Sequence, residues 1–382
     1  MEKLIVVFQI VVLAAIASVG CTETEFSQKP PRTVKQEVNS GKVDILFVVD
    51  NSGSMYVEQT KMAAAFPTLV HGLDIAGLDY RIGITTTDVT SSLNPQKSLG
   101  GLEKGALQDG RLIKFGNGKL YLDNTDYDNG NIQGLFASRI QRQETLDCEA
   151  AGFVESKCPS GDERGIYAAL KTVDRNDGKF FRTGSHIAFI FLTDEDVRGK
   201  GLAAFNIPGY PSSLLPTRGD YPATLIEYVL GRLGDTHTMS AHAIVTDTAQ
   251  CRSQQVGQNN NSYIDANIGY FYMEMTNPSS PARVSQETLS QIAKGKLMVG
   301  TVGSICSANY TTQAGNIKNV VNQASFRHVA VQDLECVPES GTFQMDYIPA
   351  GISWSFSASQ NQIVFSPALQ AHQKAKFSYL CQ

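Results

Sequence analysis

Three oxygen-bearing side chains stand at alternate positions directly after one short apolar segment. Residues 43–49 are apolar apart from Asp44, and Asp50, Ser52 and Ser54 follow them. Such a run is typical of a strand buried on both faces of a parallel sheet, and ligands bind beyond the carboxyl ends of such strands. Carboxylate and hydroxyl oxygens are ligands that hard divalent cations accept. The pattern therefore predicts a Mg²⁺ or Ca²⁺ site at this turn.

A second apolar segment ends in acidic residues. Residues 186–192 are nearly all apolar, and Thr193 and Asp194 come next. If the two strands are neighbours in one sheet, Asp194 meets Asp50 and the two serines across the crevice at the carboxyl edge. We therefore predict Asp194 as a further metal ligand. Three other carboxylates near these strands are expected to be turn residues or solvated residues at a helix start: Asp88, Glu195 and Asp196.

The elements around these strands predict the fold. Apolar strands alternate with amphipathic helices over residues 41–326, which predicts a doubly wound, mostly parallel α/β sheet. A long segment rich in Gly, Asn and Asp, residues 90–160, interrupts this alternation. Residues 327–382 have short alternating runs separated by Pro, Gly and Asn, which predict a small C-terminal all-β module.

The first residues have the character of an export signal. An apolar run begins at Leu4, at the short limit for a transmembrane span, and small residues precede Cys21. This end resembles the lipobox of bacterial lipoproteins, which implies a signal peptide over 1–20, a lipid on Cys21 and a polar tether over 21–40. Thr22 resembles the residue found in lipoproteins sorted to the outer membrane, facing the periplasm or the exterior. Plain secretion and an uncleaved anchor are the alternatives.

The other six cysteines predict disulfide bonds, because an even number in an exported chain favours pairing. Many connectivities are possible. Proximity in sequence favours Cys148–Cys158, a Cys336–Cys381 bond would tie the C-terminal module end to end, and Cys251–Cys306 follows by elimination.

The Asp-x-Ser-x-Ser turn that begins at Asp50, together with Thr193-Asp194 on a later strand, resembles the metal-ion-dependent adhesion site of von Willebrand factor type A domains. The resemblance covers about residues 40–325. It implies that the serine hydroxyls bind the ion directly and that the aspartates act largely through water. It also implies that the electron-poor ion binds an acidic side chain of a partner protein.

One corner of that site departs from the family's pattern. The family has a Thr in the loop before the middle helix, whereas residues 158–164 contain none. Either Asp162 or Glu163 would occupy that corner. An extra carboxylate would tighten cation binding and weaken the attraction for an acidic partner. The alternative is that both are helix N-terminal carboxylates, favoured by the helix dipole.

The resemblance implies a lipid-anchored protein of the bacterial cell envelope that binds a divalent cation and recognises a protein ligand. The alternative is a structural envelope protein whose metal site serves stability only. We expect no enzymatic activity and no small-molecule substrate. The sequence shows neither a nucleophile paired with a general base nor a phosphate-binding motif. The 382 residues carry a net charge of −5 with scattered basic residues, which argues against nucleic acid as a partner.

Overall fold

The computed structural model describes residues 32–39, 41–89, 108–154, 158–159, 163–182, 184–197, 220–233, 237–258, 267–276, 295–327, 331–369 and 373–381. The predicted signal peptide, Cys21, Thr22 and Asp162 lie outside these ranges. Within them, no helix has both the length and the hydropathy needed to cross a bilayer.

The strands are β1 (Thr33–Asn39), β2 (Lys42–Val49), β3 (Asp79–Thr86), β4 (Leu122–Asp123), β5 (His186–Thr193), β6 (Thr238–Val245), β7 (Leu297–Met298), β8 (Val302–Ser304), β9 (Val331–Asp333), β10 (Gln344–Tyr347), β11 (Ser353–Ser357), β12 (Gln362–Ser366) and β13 (Lys374–Leu380). The helices are α1 (Tyr56–Ile75), α2 (Asn124–Asp128), α3 (Ile132–Ile140), α4 (Gln143–Ala150), α5 (Gly165–Arg175), α6 (Pro222–Leu233), α7 (Ala249–Gln258), α8 (Tyr270–Thr276) and α9 (Thr311–Arg327).

The largest sheet has the strand order β4-β3-β2-β5-β6-β7, with β8 also paired to β6. Strands β3, β2, β5 and β6 are mutually parallel, and the short edge strand β4 is antiparallel. Val49 pairs with Thr86 on one side and with Leu192 on the other, so three strands end at the same edge. The predicted mixed α/β class with a mostly parallel sheet is confirmed. The finer doubly wound arrangement stays a prediction.

The side chains of β2 enter two separate hydrophobic clusters. Val43, Ile45 and Phe47 pack with α1 and α9, whereas Leu46 and Val48 pack with α5 and α6. Successive side chains of a strand point to opposite faces, so a strand that is apolar at almost every position needs cover on both. This requirement explains why the apolar runs identified the central strands.

The described part of the predicted insertion, residues 108–154 and 158–159, contains three helices, α2, α3 and α4. Asp123 caps α2, since its carboxylate accepts a hydrogen bond from the Thr125 backbone N–H at 3.0 Å. The apolar side chains of α3 recur every four residues, at Ile132, Phe136 and Ile140, and all three are buried. The Phe136 ring stacks on Phe66 of α1 with 3.7 Å between centroids. Helix α3 is therefore part of the main core.

The C-terminal module consists of two three-stranded sheets, β1-β13-β10 and β11-β12-β9, around its own apolar cluster. Strand β1 falls within the segment predicted as a polar tether. It pairs with β13 because the register Val34↔Tyr379 places an apolar side chain in that cluster. The cysteines pair as Cys148–Cys158, Cys251–Cys306 and Cys336–Cys381, the connectivity that the sequence favoured.

A chain of buried polar side chains crosses the sheet between β5 and β6. The Ser240 hydroxyl lies 2.9 Å from His186 Nε2 and 3.0 Å from His242 Nε2. The other ring nitrogen of His242 lies 3.0 Å from the Thr301 hydroxyl. Burial lowers the pKa of His242 to about 3, so this histidine is neutral in the folded protein.

This low pKa predicts a loss of stability in acid. Because the unfolded histidine has a pKa near 6.5, its contribution is complete above that pH and is lost as pH falls toward 3. We expect wild type to lose about 2–3 kcal/mol through this group between pH 7 and 4.5. Urea unfolding of wild type and His242→Gln at both pH values measures it. The stability difference between the two proteins should shift by that amount, and a difference independent of pH would contradict the assignment.

Candidate cation site at the carboxyl edge of the sheet

The turn after β2 brings the three predicted ligands of the first motif together. Asp50 extends the β2–β5 ladder, since its backbone N–H donates to the Leu192 carbonyl at 2.9 Å. The Asp50 carboxylate then accepts a hydrogen bond from the Ser52 N–H at 2.8 Å. A 3-10 turn, Gly53–Met55, follows and leads into α1. The Ser52 and Ser54 hydroxyls lie 3.1 Å apart and are partly exposed, whereas Asp50 is buried.

Strand β5 places Asp194 beside this turn. The Thr193 hydroxyl donates to Asp50 Oδ2 at 2.8 Å, which joins the two strand ends directly. The Asp194 carbonyl accepts from the Thr246 hydroxyl at 2.8 Å and from the Asn267 N–H at 3.2 Å. The backbone on either side of the crevice is thus fixed. Asp194 is 1% exposed, and neither of its carboxylate oxygens has a hydrogen-bond partner among the described residues.

The electrostatics of Asp194 are those of a carboxylate without a countercharge. Burial raises its pKa well above the ordinary value, and the negative charges of Asp50 and Glu163 raise it further. The nearby Ser54 hydroxyl lowers the pKa of Asp194, although it is not placed to donate a hydrogen bond to either Asp194 carboxylate oxygen. Such a cluster of buried acids is stabilised either by protons or by a bound cation.

Glu163 lies close enough to Asp194 for its charge to raise the pKa of that carboxyl. It is 2% exposed and forms an isolated backbone bridge with Asp88, just beyond the end of β3. The next residue fixes the loop: Arg164 N–H donates to the Thr87 carbonyl at 3.0 Å, and its guanidinium binds the buried Asp220 carboxylate at 2.9 and 3.0 Å. The loop before α5 therefore holds a buried carboxylate where the sequence predicted one. Asp162, the other candidate, lies outside the described residues.

The insertion holds the turn from outside, which sequence reasoning missed. The Thr145 hydroxyl donates to the Asn51 carbonyl at 2.8 Å, and Gln59 of α1 donates to the Asp50 carbonyl at 2.9 Å. A Cβ atom added to Gly53 would lie 2.6 Å from Cys148 Sγ, so only glycine allows the disulfide to pack so closely. The contacts of Thr145 and Cys148 join residues more than 90 positions apart in sequence. No local pattern signals them.

Three acidic residues expected to be turn or solvated residues are instead buried. Glu195 is 7% and Asp196 2% exposed, so the prediction of solvated residues is wrong. Asp196 accepts a hydrogen bond from the Phe271 N–H at 3.1 Å, in the first turn of α8, which lies far from it in sequence. Asp88 accepts from the Thr86 hydroxyl and, at 3.4 Å, from the Gln108 N–H, and burial raises its pKa to about 7. All three side chains are therefore part of the packed carboxyl edge of the sheet.

The donor set determines which metals could bind here. The part of the chain that the structure describes contains no group of three or more His, Cys, Asp or Glu side chains that could hold a metal ion. A site built from these types alone is therefore absent from it. The donors at this edge are two serine hydroxyls and the carboxylates of Asp50 and Asp194, all of them oxygen. Oxygen donors suit Mg²⁺ and Ca²⁺ rather than zinc or copper.

Comparison with known proteins places the chain in no family. No protein-family model matches it, and no curated protein does. Solved structures that resemble it include the pilus adhesin SpaC from Lactobacillus rhamnosus GG in its open conformation, with 13% identity over 91% of this chain and 40% of that one and a TM-score of 0.32. Proximal thread matrix protein 1 from the mussel byssus matches with 11% identity over 79% and 52% of the chains and a TM-score of 0.32. The pilus adhesin RrgA from Streptococcus pneumoniae matches with 11% identity over 91% and 58% and a TM-score of 0.26.

These matches are too distant to carry function to this chain, which also spans less than two thirds of each of the three proteins. The lack of any matching family model overturns one prediction. The predicted membership of the von Willebrand factor type A family, in a bacterial lipoprotein form with that family's adhesion site, is wrong. No family model matches the chain. The described residues contain no group of three or more His, Cys, Asp or Glu side chains that could hold a metal ion. A five-residue motif at a strand end was too short to establish a family, because the turn after any buried parallel strand favours the same small polar residues.

Proposed function

We propose that this chain binds one divalent cation, Mg²⁺ or Ca²⁺, through Asp50, Ser52, Ser54 and Asp194 and recognises a protein partner at that edge of the sheet. The observation that supports it best is the Asp194 carboxylate, which is buried and has no hydrogen-bond partner among the described residues. A cation would satisfy its oxygens and offset the repulsion from the neighbouring acids. The negative charge of Glu163, at the corner of the site, would favour the cation further without supplying a third carboxylate ligand.

The partly exposed serines support a role in recognition. Ser52 and Ser54 lie toward solvent, whereas Asp50 and Asp194 are buried behind them. An ion held at the serine side keeps a coordination position accessible, and a partner's acidic side chain is a ligand that a hard cation binds. Because Glu163 adds negative charge, we propose that this attraction is weaker than at a site with neutral residues in its place. We propose no catalytic step for this edge.

The cellular setting is part of the proposal. Three disulfides fit a protein that folds in an oxidising compartment, such as the cell envelope or its exterior. A lipid on Cys21 would hold the domain at a membrane surface, with residues 22–32 as a tether. Thr22 favours one form of this proposal, in which the lipid holds the protein on an outer membrane and the domain faces the periplasm or the exterior.

The partner proposal is tested by capture from envelope and cell-surface extracts. Wild type, Asp50→Ala and the exposed-site control Asp346→Ala are used as baits, each with Mg²⁺ plus Ca²⁺ or with EDTA. We expect at least one protein that wild type and Asp346→Ala retain only with cations and that Asp50→Ala does not retain. Identical partner lists in all six samples would contradict cation-dependent recognition.

A structural role is the second candidate, and the burial of the acids favours it. Asp50, Asp194 and Glu163 are each at most 2% exposed, as expected for an ion that stabilises the fold and meets no partner. Under this alternative, EDTA lowers the melting temperature strongly while the captured proteins stay the same. Under the leading proposal, EDTA changes both.

A further inference from the structure

A basic groove lies in the insertion and shares no lining residue with the cation site. Its volume is about 800 Å³, and it opens between residues 108–120, helix α3 and residues 177–178. Four basic side chains line it: Arg111, Lys114, Arg139 and Arg142. The acidic side chain that also lines it, Asp177, is paired with Arg175 at 3.3 Å. The protein as a whole carries a net charge of −5, so this concentration of positive charge is local.

The basic side chains differ in how far the protein already neutralises them. The Arg142 guanidinium is already neutralised, because its Nε donates to the Glu144 carboxylate at 2.7 Å. Arg111 lies 3.9 Å from Asp109, and that carboxylate is bound more closely by Lys171 at 2.9 Å. The remaining two have no carboxylate partner among the described residues. Lys114 is exposed, and the buried Nε of Arg139 has no hydrogen-bond acceptor there.

Apolar residues form the floor of the groove: Leu112, Ile113, Phe115 and Leu120. The first three belong to the hydrophobic core and are 4%, 7% and 2% exposed, so the half-buried Leu120 is the apolar side chain most accessible to a ligand. The mouth stays wide at Gly118, where a side chain would meet nothing within 4 Å. A groove of this size with an apolar floor and a few charged groups has the proportions of a specific ligand site.

We propose that this groove binds an acidic segment of a partner protein in which carboxylate side chains flank an aliphatic or aromatic residue. Guanidinium groups hold carboxylates through paired hydrogen bonds, and a desolvated apolar floor favours a hydrophobic side chain between them. A sulfated saccharide would use the positive charges but leave the apolar floor without a matching group. The groove needs no metal ion, so this inference stands apart from the proposed cation site.

The test measures fluorescence anisotropy of a labelled peptide with Asp and Glu on both sides of a central Phe, in EDTA. We expect wild type to bind it and the double variant Lys114→Glu/Arg139→Gln to bind about tenfold more weakly or worse. The control Arg32→Gln/Lys35→Glu makes the same charge change on the C-terminal module and should bind as wild type does. Peptides with Asn and Gln for the acids, or with Ser for the Phe, should each bind more weakly than the parent.

The single variant Lys114→Glu reverses one charge of the groove at an exposed position, where substitutions usually change stability little. Equal binding by wild type and Lys114→Glu, or equal binding of the acidic and amide peptides, would overturn the proposal. So would a heparin-derived oligosaccharide that binds through these residues when the peptide does not. Since all measurements are made in EDTA, a protein that lacks cation binding can still pass this test.

Discussion

Mg²⁺ or Ca²⁺ added to the EDTA-treated protein, at about a hundred times the dissociation constant, will raise the free energy of unfolding by about 2.7 kcal/mol. The reason is that the folded chain alone brings Asp50 and Asp194 together behind the two serines. Without the ion, burial raises the pKa of Asp194, and the negative charges of Asp50 and Glu163 raise it further. The expected sign is therefore stabilisation, seen as a rise of several degrees in the melting temperature.

Asp194→Asn is the variant that separates this effect from general salt effects. The raised pKa of Asp194 means that its ionised form weakens the fold, so stability is lost as pH rises through the folded pKa. Removing that charge should make the metal-free variant more stable than metal-free wild type at pH 8, and should abolish the increment from cations. Asp346→Asn, at an exposed position, should keep the increment. A cation-dependent rise that persists in Asp194→Asn would count against the site.

Arg182→Met will lower the free energy of unfolding by about 3–5 kcal/mol. Arg182 donates from Nε to Asp44 Oδ1 at 2.8 Å and from Nη1 to Asp79 Oδ1 at 2.5 Å. Asp44 is fully buried in β2, and the Ser185 hydroxyl also donates to it at 2.6 Å. Burial raises the pKa of Asp44, and the guanidinium offsets part of that rise. Met fills similar space but leaves a buried carboxylate without its countercharge.

Urea unfolding at pH 7 measures the loss, with Arg175→Met as the control. Arg175 pairs with Asp177 at 3.3 Å on a half-exposed surface, so its replacement should cost at most about 1 kcal/mol. Adding Asp44→Asn to Arg182→Met should recover part of the loss, because the stranded charge is gone. Equal costs for Arg182→Met and Arg175→Met would show that the buried pair contributes no more than a surface pair.

The central strands and the convergence at their carboxyl edge could be predicted from the sequence. Segments 43–49 and 186–192 are short and apolar at nearly every position, which is typical of a strand covered on both faces. Parallel neighbours must end at the same edge, so Asp50 and Asp194 follow from the two runs alone. Proximity and an even cysteine count were likewise enough to favour the observed disulfides.

Other parts of the structure depend on contacts that have no local signal. Strand β1 reads as a polar tether because most of its residues are polar, although Val34 makes an apolar contact with the cluster around β13. The role of Asp196 depends on the Phe271 N–H, which lies 75 residues away. Helix α3 is different: the spacing of Ile132, Phe136 and Ile140 is helical, but the surrounding Gly and Asn residues obscured it. Family membership failed because a short motif carries too little information about the rest of the chain.

The measurement that tests the central claim most directly is equilibrium dialysis of the EDTA-treated protein against Mg²⁺ or Ca²⁺, followed by metal analysis. Wild type and the control Asp346→Asn should each hold one ion per chain. Asp50→Asn should hold none at the same free concentration, because it loses the carboxylate that both Ser52 and Thr193 position. Wild type without bound ion, or Asp50→Asn with as much metal as wild type, would contradict the cation site.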